Sequence, residues 1–116
     1  MKHHLYLQIA SKLRTTILRG DYAPEQQIPS IRRLAENEKC NPATVQKAMK
    51  VLEEQNLVTS CGTLGYFVIA SEKEIKELRY QESNKLVKIL FEKLGELGFS
   101  KDEIVNLFLE KMLRRS

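Results

Sequence analysis

The feature that most constrains this 116-residue chain is a pair of closely spaced helix starts followed at once by a change of hydrophobic period. A Ser side chain accepts from the free amides of a first helical turn. Ser30 therefore opens a short helix over 30–37, with Ile31, Leu34 and Ala35 inward and Arg32, Arg33 and Glu36 outward. Asn41-Pro42 opens the next one, because Asn caps in the same way and Pro at the first helical position gives up no hydrogen bond. That helix runs to about residue 55. Val45, Ala48, Met49 and Leu52 form its apolar stripe, so Ala43, Thr44, Gln46, Lys47 and Lys50 point away from the core, on a face with no acid before Glu53. After Asn56 the pattern becomes strand-like, with runs at 57–60 and 66–69 around a link that contains Gly62 and Gly65. A hairpin follows.

The rest of the chain is helical. Tyr6, Ile9, Ala10, Leu13 and Ile17 recur at helical steps over 5–19, and Gly20 suits a left-handed cap. The segment 21–29 has two prolines and no period, and reads as a loop with a short extended piece at Gln27-Ile28. Ser71 with Glu74, and Ser100 with Glu103, are capping boxes, each opening a further helix. The expected fold is mainly α with a small β-hairpin: a winged helix-turn-helix over 1–70, then a two-helix dimerisation tail over 71–116. In a winged helix-turn-helix the second helix of the pair enters the major groove while the hairpin flanks the backbone or minor groove.

Composition narrows the function. Nine basic against six acidic residues in 1–70 put most of the net charge of +4 in the first part, a bias toward polyanions. Cys40 and Cys61 are too few for a disulfide framework and lie at no zinc-ligand spacing, which fits a reducing cytoplasm. Cys40 reads as a small buried hydrophobe and Cys61 as an exposed wing residue. No apolar run has the length of a membrane span, and no start resembling a signal peptide is visible. His3 and His4 have no ligand partners in the pattern. With no phosphate-binding glycine loop, metal spacing or nucleophile–base pair, no enzyme and no cofactor is expected.

Specific residues carry a resemblance. Tyr6, Gln8-Ile9, Leu13, Ile17, Gly20, Pro24, the run Ile28-Pro29-Ser30-Ile31-Arg32-Arg33-Leu34-Ala35, Asn41-Pro42-Ala43-Thr44-Val45, Ala48, Leu52, Leu57-Val58 and Gly65-Tyr66-Phe67-Val68 resemble the GntR family of bacterial winged-helix transcription regulators. By that resemblance Arg32 occupies the position of the family's DNA-contacting Arg on the second helix, and Thr44, Gln46 and Lys47 fall on the reading face. The DNA-facing set is then Ser30, Arg32, Arg33, Asn41, Pro42, Ala43, Thr44, Gln46, Lys47, Gly62, Thr63 and Gly65, with Ser30 and Asn41 serving first as caps. Arg32 can reach a phosphate or guanine edge, the amides near Pro42 and Ala43 suit a phosphate, and Gln46 can pair with adenine. Two positions depart from the family pattern: Glu25 stands where Gly is usual, and the wing stretch 60–64 is neutral where a basic residue is usual.

The tail carries more apolar side chains than a helical hairpin can bury. Ile75, Leu78, Leu86, Ile89, Leu90, Leu94, Leu97, Phe99, Ile104, Leu107 and Phe108 are the expected dimerisation set, a second copy being the economical cover. So short a tail resembles the YtrA-like subgroup, which implies a homodimer, expected to be a repressor, acting on an inverted-repeat operator, such as that of a transporter operon. The partners are double-stranded DNA, a second copy and an unidentified small-molecule effector. That effector is expected at the dimer interface or between tail and winged helix; no membrane is expected. The rival is a winged-helix adaptor that binds protein without DNA, against which the acid-free face over 43–50 argues.

Overall fold

The computed structural model describes residues 5–114, so His3 and His4 lie outside the described residues. The chain forms two compact units, Met1–Arg79 and Tyr80–Ser116.

In the first unit, α1 (Leu5–Arg19), α2 (Ile31–Glu38) and α3 (Pro42–Glu54) precede a hairpin of β1 (Val58–Ser60) and β2 (Tyr66–Val68). The helix starts form as the sequence dictates: Ser30 Oγ accepts from the Arg33 amide at 3.1 Å, and Asn41 Oδ1 from the Ala43 amide at 2.8 Å. Helix α3 packs on both α1 and α2, and Val45, Ala48, Met49 and Leu52 are fully buried there together with Ile17 of α1. The strands pair antiparallel, Val58 opposite Val68 and Ser60 opposite Tyr66, around a 3-10 turn at Gly62–Leu64. Gln27 forms a bridge to Phe67, so the extended piece in the loop after α1 flanks the wing as a third, very short strand.

Glu25, at the family's usual Gly position, has φ of 70°. Its amide donates to Val68 O at 2.8 Å, fixing that left-handed conformation at a steric cost a Gly would avoid. Cys40 is half-buried against the core and Cys61 exposed, both as free thiols.

Helix α4 (Glu72–Glu96) begins in the first unit and continues into the second, which it forms with α5 (Lys101–Arg114). Both capping boxes are closed. Ser71 Oγ accepts from the Glu74 amide at 3.1 Å while Glu74 Oε1 accepts from the Ser71 amide at 2.8 Å, and Ser100 and Glu103 repeat the exchange at 3.2 and 2.9 Å. The division between units falls after Arg79 instead of after Ala70, for a packing reason. Ile75 is buried in the core cluster of the first unit and Leu78 packs against it. These two side chains, expected to face a second copy, thus complete the winged-helix core, because the first two turns of α4 supply it with a further apolar wall.

In the second unit Ile104 is buried and the Phe91 and Phe108 rings meet with centroids 6.5 Å apart and planes tilted by 58°. Most of its other large apolar side chains remain open, including Leu86, Ile89, Leu97 and Leu113. A two-helix hairpin has one mutual face, and these residues lie outside it.

Candidate nucleic-acid interface

The candidate interface is built on α2, α3 and the wing. Arg32, Arg33, Pro42, Ala43, Gln46, Lys47 and Lys50 are all exposed, whereas Thr44 is half-buried. Among the described residues Arg32 and Arg33 make no ion pair. Two acids of the first unit are paired away from them, Glu38 with Lys12 at 2.9 Å and Asp21 with Arg19, while Glu36 on α2 is exposed. From Pro42 to Leu52 the exposed face of α3 carries Lys47 and Lys50 and no carboxylate, which suits an anionic backbone; Glu53 lies only in its last turn.

The side chains on α3 are held from two sides. Gln46 Nε2 donates to the Tyr66 hydroxyl at 3.3 Å, and Lys47 Nζ stands 5.9 Å from the centroid of the Tyr6 ring. Tyr66 is buried, which pushes its phenol above the ordinary value, with the nearby Glu53 carboxylate adding to the effect and the Gln46 hydrogen bond opposing it. The phenol is therefore neutral at physiological pH. Nothing in the helical spacing of α3 announces either tyrosine as its neighbour; the signal is the strand alternation that turns Tyr66 inward, and the first turn of α1 that carries Tyr6.

One expected contact changes. The Ala43 amide, expected to face a phosphate, is taken by Asn41 Oδ1, and Thr44 N donates to Asn41 O at 2.9 Å. A side-chain cap and a bound phosphate compete for the same first-turn donors, so Asn41 acts here as a cap. Ser30 does likewise.

The wing is neutral, as its sequence indicates. Gly62 and Thr63 are exposed and Gly65 half-buried, with φ of 100° at Gly65 and the Gln27 Nε2 atom 3.2 Å from where a Cβ would stand. Gln27, expected in a short extended piece but not among the site residues, donates from Nε2 to Leu64 O and so ties the wing turn to the loop after α1. Gly65 allows that approach.

An open cavity of about 440 Å³ lies in the first unit between the end of α1 and the first turns of α4, lined by Leu18, Tyr22, Pro24, Ile75 and Arg79 among others. Arg79 Nη1 donates to Leu18 O there at 3.4 Å. Among the described residues no group of three or more His, Cys, Asp or Glu could hold a metal ion, and no helix is long and apolar enough to cross a membrane.

Comparison with known proteins agrees with this geometry. Over 101 residues the chain is 27% identical to YhcF of Bacillus subtilis (strain 168), an uncharacterized HTH-type transcriptional regulator, covering 87% of this chain and 84% of YhcF. It is 32% identical over 69 residues to the HTH-type transcriptional repressor YtrA of the same organism, covering 60% of this chain and 53% of YtrA. Among solved structures, a GntR family transcriptional regulator from Listeria monocytogenes superposes with a TM-score of 0.84 at 25% identity, covering 91% of this chain and 93% of that one. The DNA-binding domain of AraR in complex with operator ORR3 superposes with a TM-score of 0.53 at 30% identity, covering 54% of this chain and 76% of that one. The model of the bacterial regulatory proteins of the gntR family matches residues 5–68, more than half of the chain, which is the part that builds the winged helix-turn-helix. The chain therefore belongs to the GntR family of bacterial transcription regulators.

Proposed function

We propose that this regulator is a homodimeric repressor that binds an inverted-repeat operator through α3 and the start of α2. The observation that carries the reading is the outer face of α3, acid-free before Glu53, where Gln46, Lys47 and Lys50 are exposed, together with the exposed Arg32 and Arg33 of α2, which make no ion pair among the described residues. Arg32, Arg33, Lys47 and Thr44 serve the phosphate backbone and Gln46 reads a base edge. The neutral wing at 62–65 adds close backbone approach without charge. The DNA-binding domain of AraR, similar over 54% of this chain, is seen with its operator, which supports a duplex partner over a protein partner.

Dimerisation belongs to the second unit. Leu86, Ile89, Leu97, Leu109 and Leu113 are each at least half exposed, and monomers seldom leave so much clustered apolar surface to water. A second copy covers it by presenting the same face. Repression follows the similarity to YtrA, a named repressor, and a transporter operon is the class of target that the YtrA-like tail implies. A small effector has room in the cavity between α1 and α4. The reading places the protein in the cytoplasm with its DNA and assigns it no catalytic step.

Selection of the full-length chain against duplexes with a randomised core tests the proposal. The expected outcome is an inverted repeat with half-site centres about 34 to 36 Å apart, one helical turn. Recovery of a single unrepeated site, or of no consensus, would contradict it.

A further inference from the structure

Tyr66 opens β2 and turns inward, so that its ring joins the core of the first unit while its hydroxyl reaches α3. There Gln46 Nε2 donates to the Tyr66 hydroxyl oxygen at 3.3 Å. Tyr66 is 9% exposed, whereas Gln46 is open to solvent. A rigid, core-anchored group thus holds one end of a flexible side chain that would otherwise sample several rotamers on a helix surface. The bond also joins the recognition helix to the wing.

We propose that Tyr66 is a positioning residue for base readout, setting through Gln46 which edge of the amide faces the DNA. The inference rests on the reading of Gln46 as the base-contacting side chain. A primary amide has two N–H donors and one carbonyl acceptor. With one N–H held by Tyr66, the second N–H and both lone pairs of Oε1 remain for a base. That pair of groups matches the N7 acceptor and N6 donor that adenine presents side by side in the major groove. The opposite amide orientation would require the Tyr66 hydroxyl to donate to Gln46 Oε1. In the structure it is Nε2 that faces the hydroxyl, so the phenolic oxygen accepts and Oε1 is left for the base. The amide is therefore ordered before DNA arrives, and the entropy of ordering it is not charged to binding.

The test uses the full-length chain, a pool of duplexes with a randomised core of about 20 base pairs, and four proteins: unmodified, Tyr66→Phe, Gln46→Ala, and the double variant. Tyr66→Phe removes only the hydroxyl. It should keep overall binding and its salt dependence, yet lose about threefold to tenfold of the preference at one base pair per half-site, the loss of one hydrogen bond's worth of ordering. In the Gln46→Ala background it should change nothing further. If Gln46→Ala alters the preference and Tyr66→Phe does not, the inference fails while the base-reading role of Gln46 stands. An equal effect of Tyr66→Phe in both backgrounds would also overturn it, since the hydroxyl would then act by another route. No change for Gln46→Ala at any position would remove both readings together. Thermal melts establish that Tyr66→Phe is folded. If it is not, the unmodified protein still decides: a nuclear Overhauser contact between the Gln46 side-chain amide protons and the Tyr66 ring is expected, and its absence overturns the proposal.

Discussion

Replacing Leu86 with Ala should weaken the dimer far more than it weakens the fold. Leu86 is 67% exposed in the second unit. Burying a leucine side chain completely is worth about 1.5 to 3 kcal/mol, so covering the exposed two-thirds contributes about 1 to 2 kcal/mol. A two-fold interface counts the position twice, which gives about 2 to 4 kcal/mol per dimer, most of which Ala surrenders. At 1.4 kcal/mol per tenfold, the dimer dissociation constant should rise about 30- to 700-fold. Sedimentation equilibrium from nanomolar to about 100 micromolar protein reads this directly, and far-UV circular dichroism should show unchanged helix content at high concentration. Leu7, 43% exposed on α1 of the first unit, is the control: Leu7→Ala should leave the constant where it was. An unmodified chain that stays monomeric over the whole range would refute the reasoning, as would identical constants for Leu86→Ala and the unmodified protein.

Glu25→Gly should raise the melting temperature slightly, because relief of a left-handed non-glycine conformation, about 1 to 2 kcal/mol, exceeds the extra chain entropy that Gly loses on folding, about 0.5 to 1 kcal/mol; a lower melting temperature would show that Glu25 makes a compensating contact. Gly65→Ala should cost more than about 1 kcal/mol in denaturant unfolding, since φ of 100° is unfavourable for Ala and its Cβ would press on the Gln27 side chain. The Glu74 carboxylate is held below its usual range first by the hydrogen bond from the Ser71 amide. Its contribution to stability is therefore complete above the unfolded-state value, about pH 4.3, and is lost as pH falls through the lower folded-state value. Melting temperatures measured from about pH 6 to about pH 3 should accordingly fall less steeply for Glu74→Gln.

Much of this architecture is legible in the sequence, because the signals are local. Ser30 and Asn41-Pro42 mark helix starts by side-chain chemistry that acts within one turn, and the two Ser-Glu capping boxes do the same for α4 and α5. The outward placement of Gln46 and Lys47 follows from the stripe of Val45, Ala48, Met49 and Leu52 opposite. Long-range contacts are less visible. Periodicity assigns Ile75 and Leu78 to an apolar face without saying which partner covers it, and a neighbouring core and a second copy look alike in sequence. Gln27 and Tyr66 act on the site through pairings to residues 37 and 20 positions away, set by how the hairpin folds back over α3. The capture of the Ala43 amide by Asn41 was legible, since a good N-cap residue takes the very donors a phosphate would need.

The central claim, that α2 and α3 bind duplex DNA, is tested most directly by the salt dependence of operator binding for the unmodified chain and Arg32→Ala. For the unmodified protein the logarithm of the binding constant should fall linearly with the logarithm of salt concentration, by about 0.9 for each phosphate neutralised. Arg32→Ala should weaken binding by more than about 1 kcal/mol and reduce that slope by about 2, one phosphate contact from each protomer of the dimer. Binding that ignores salt, or an Arg32→Ala protein with unchanged affinity and slope, would contradict the account.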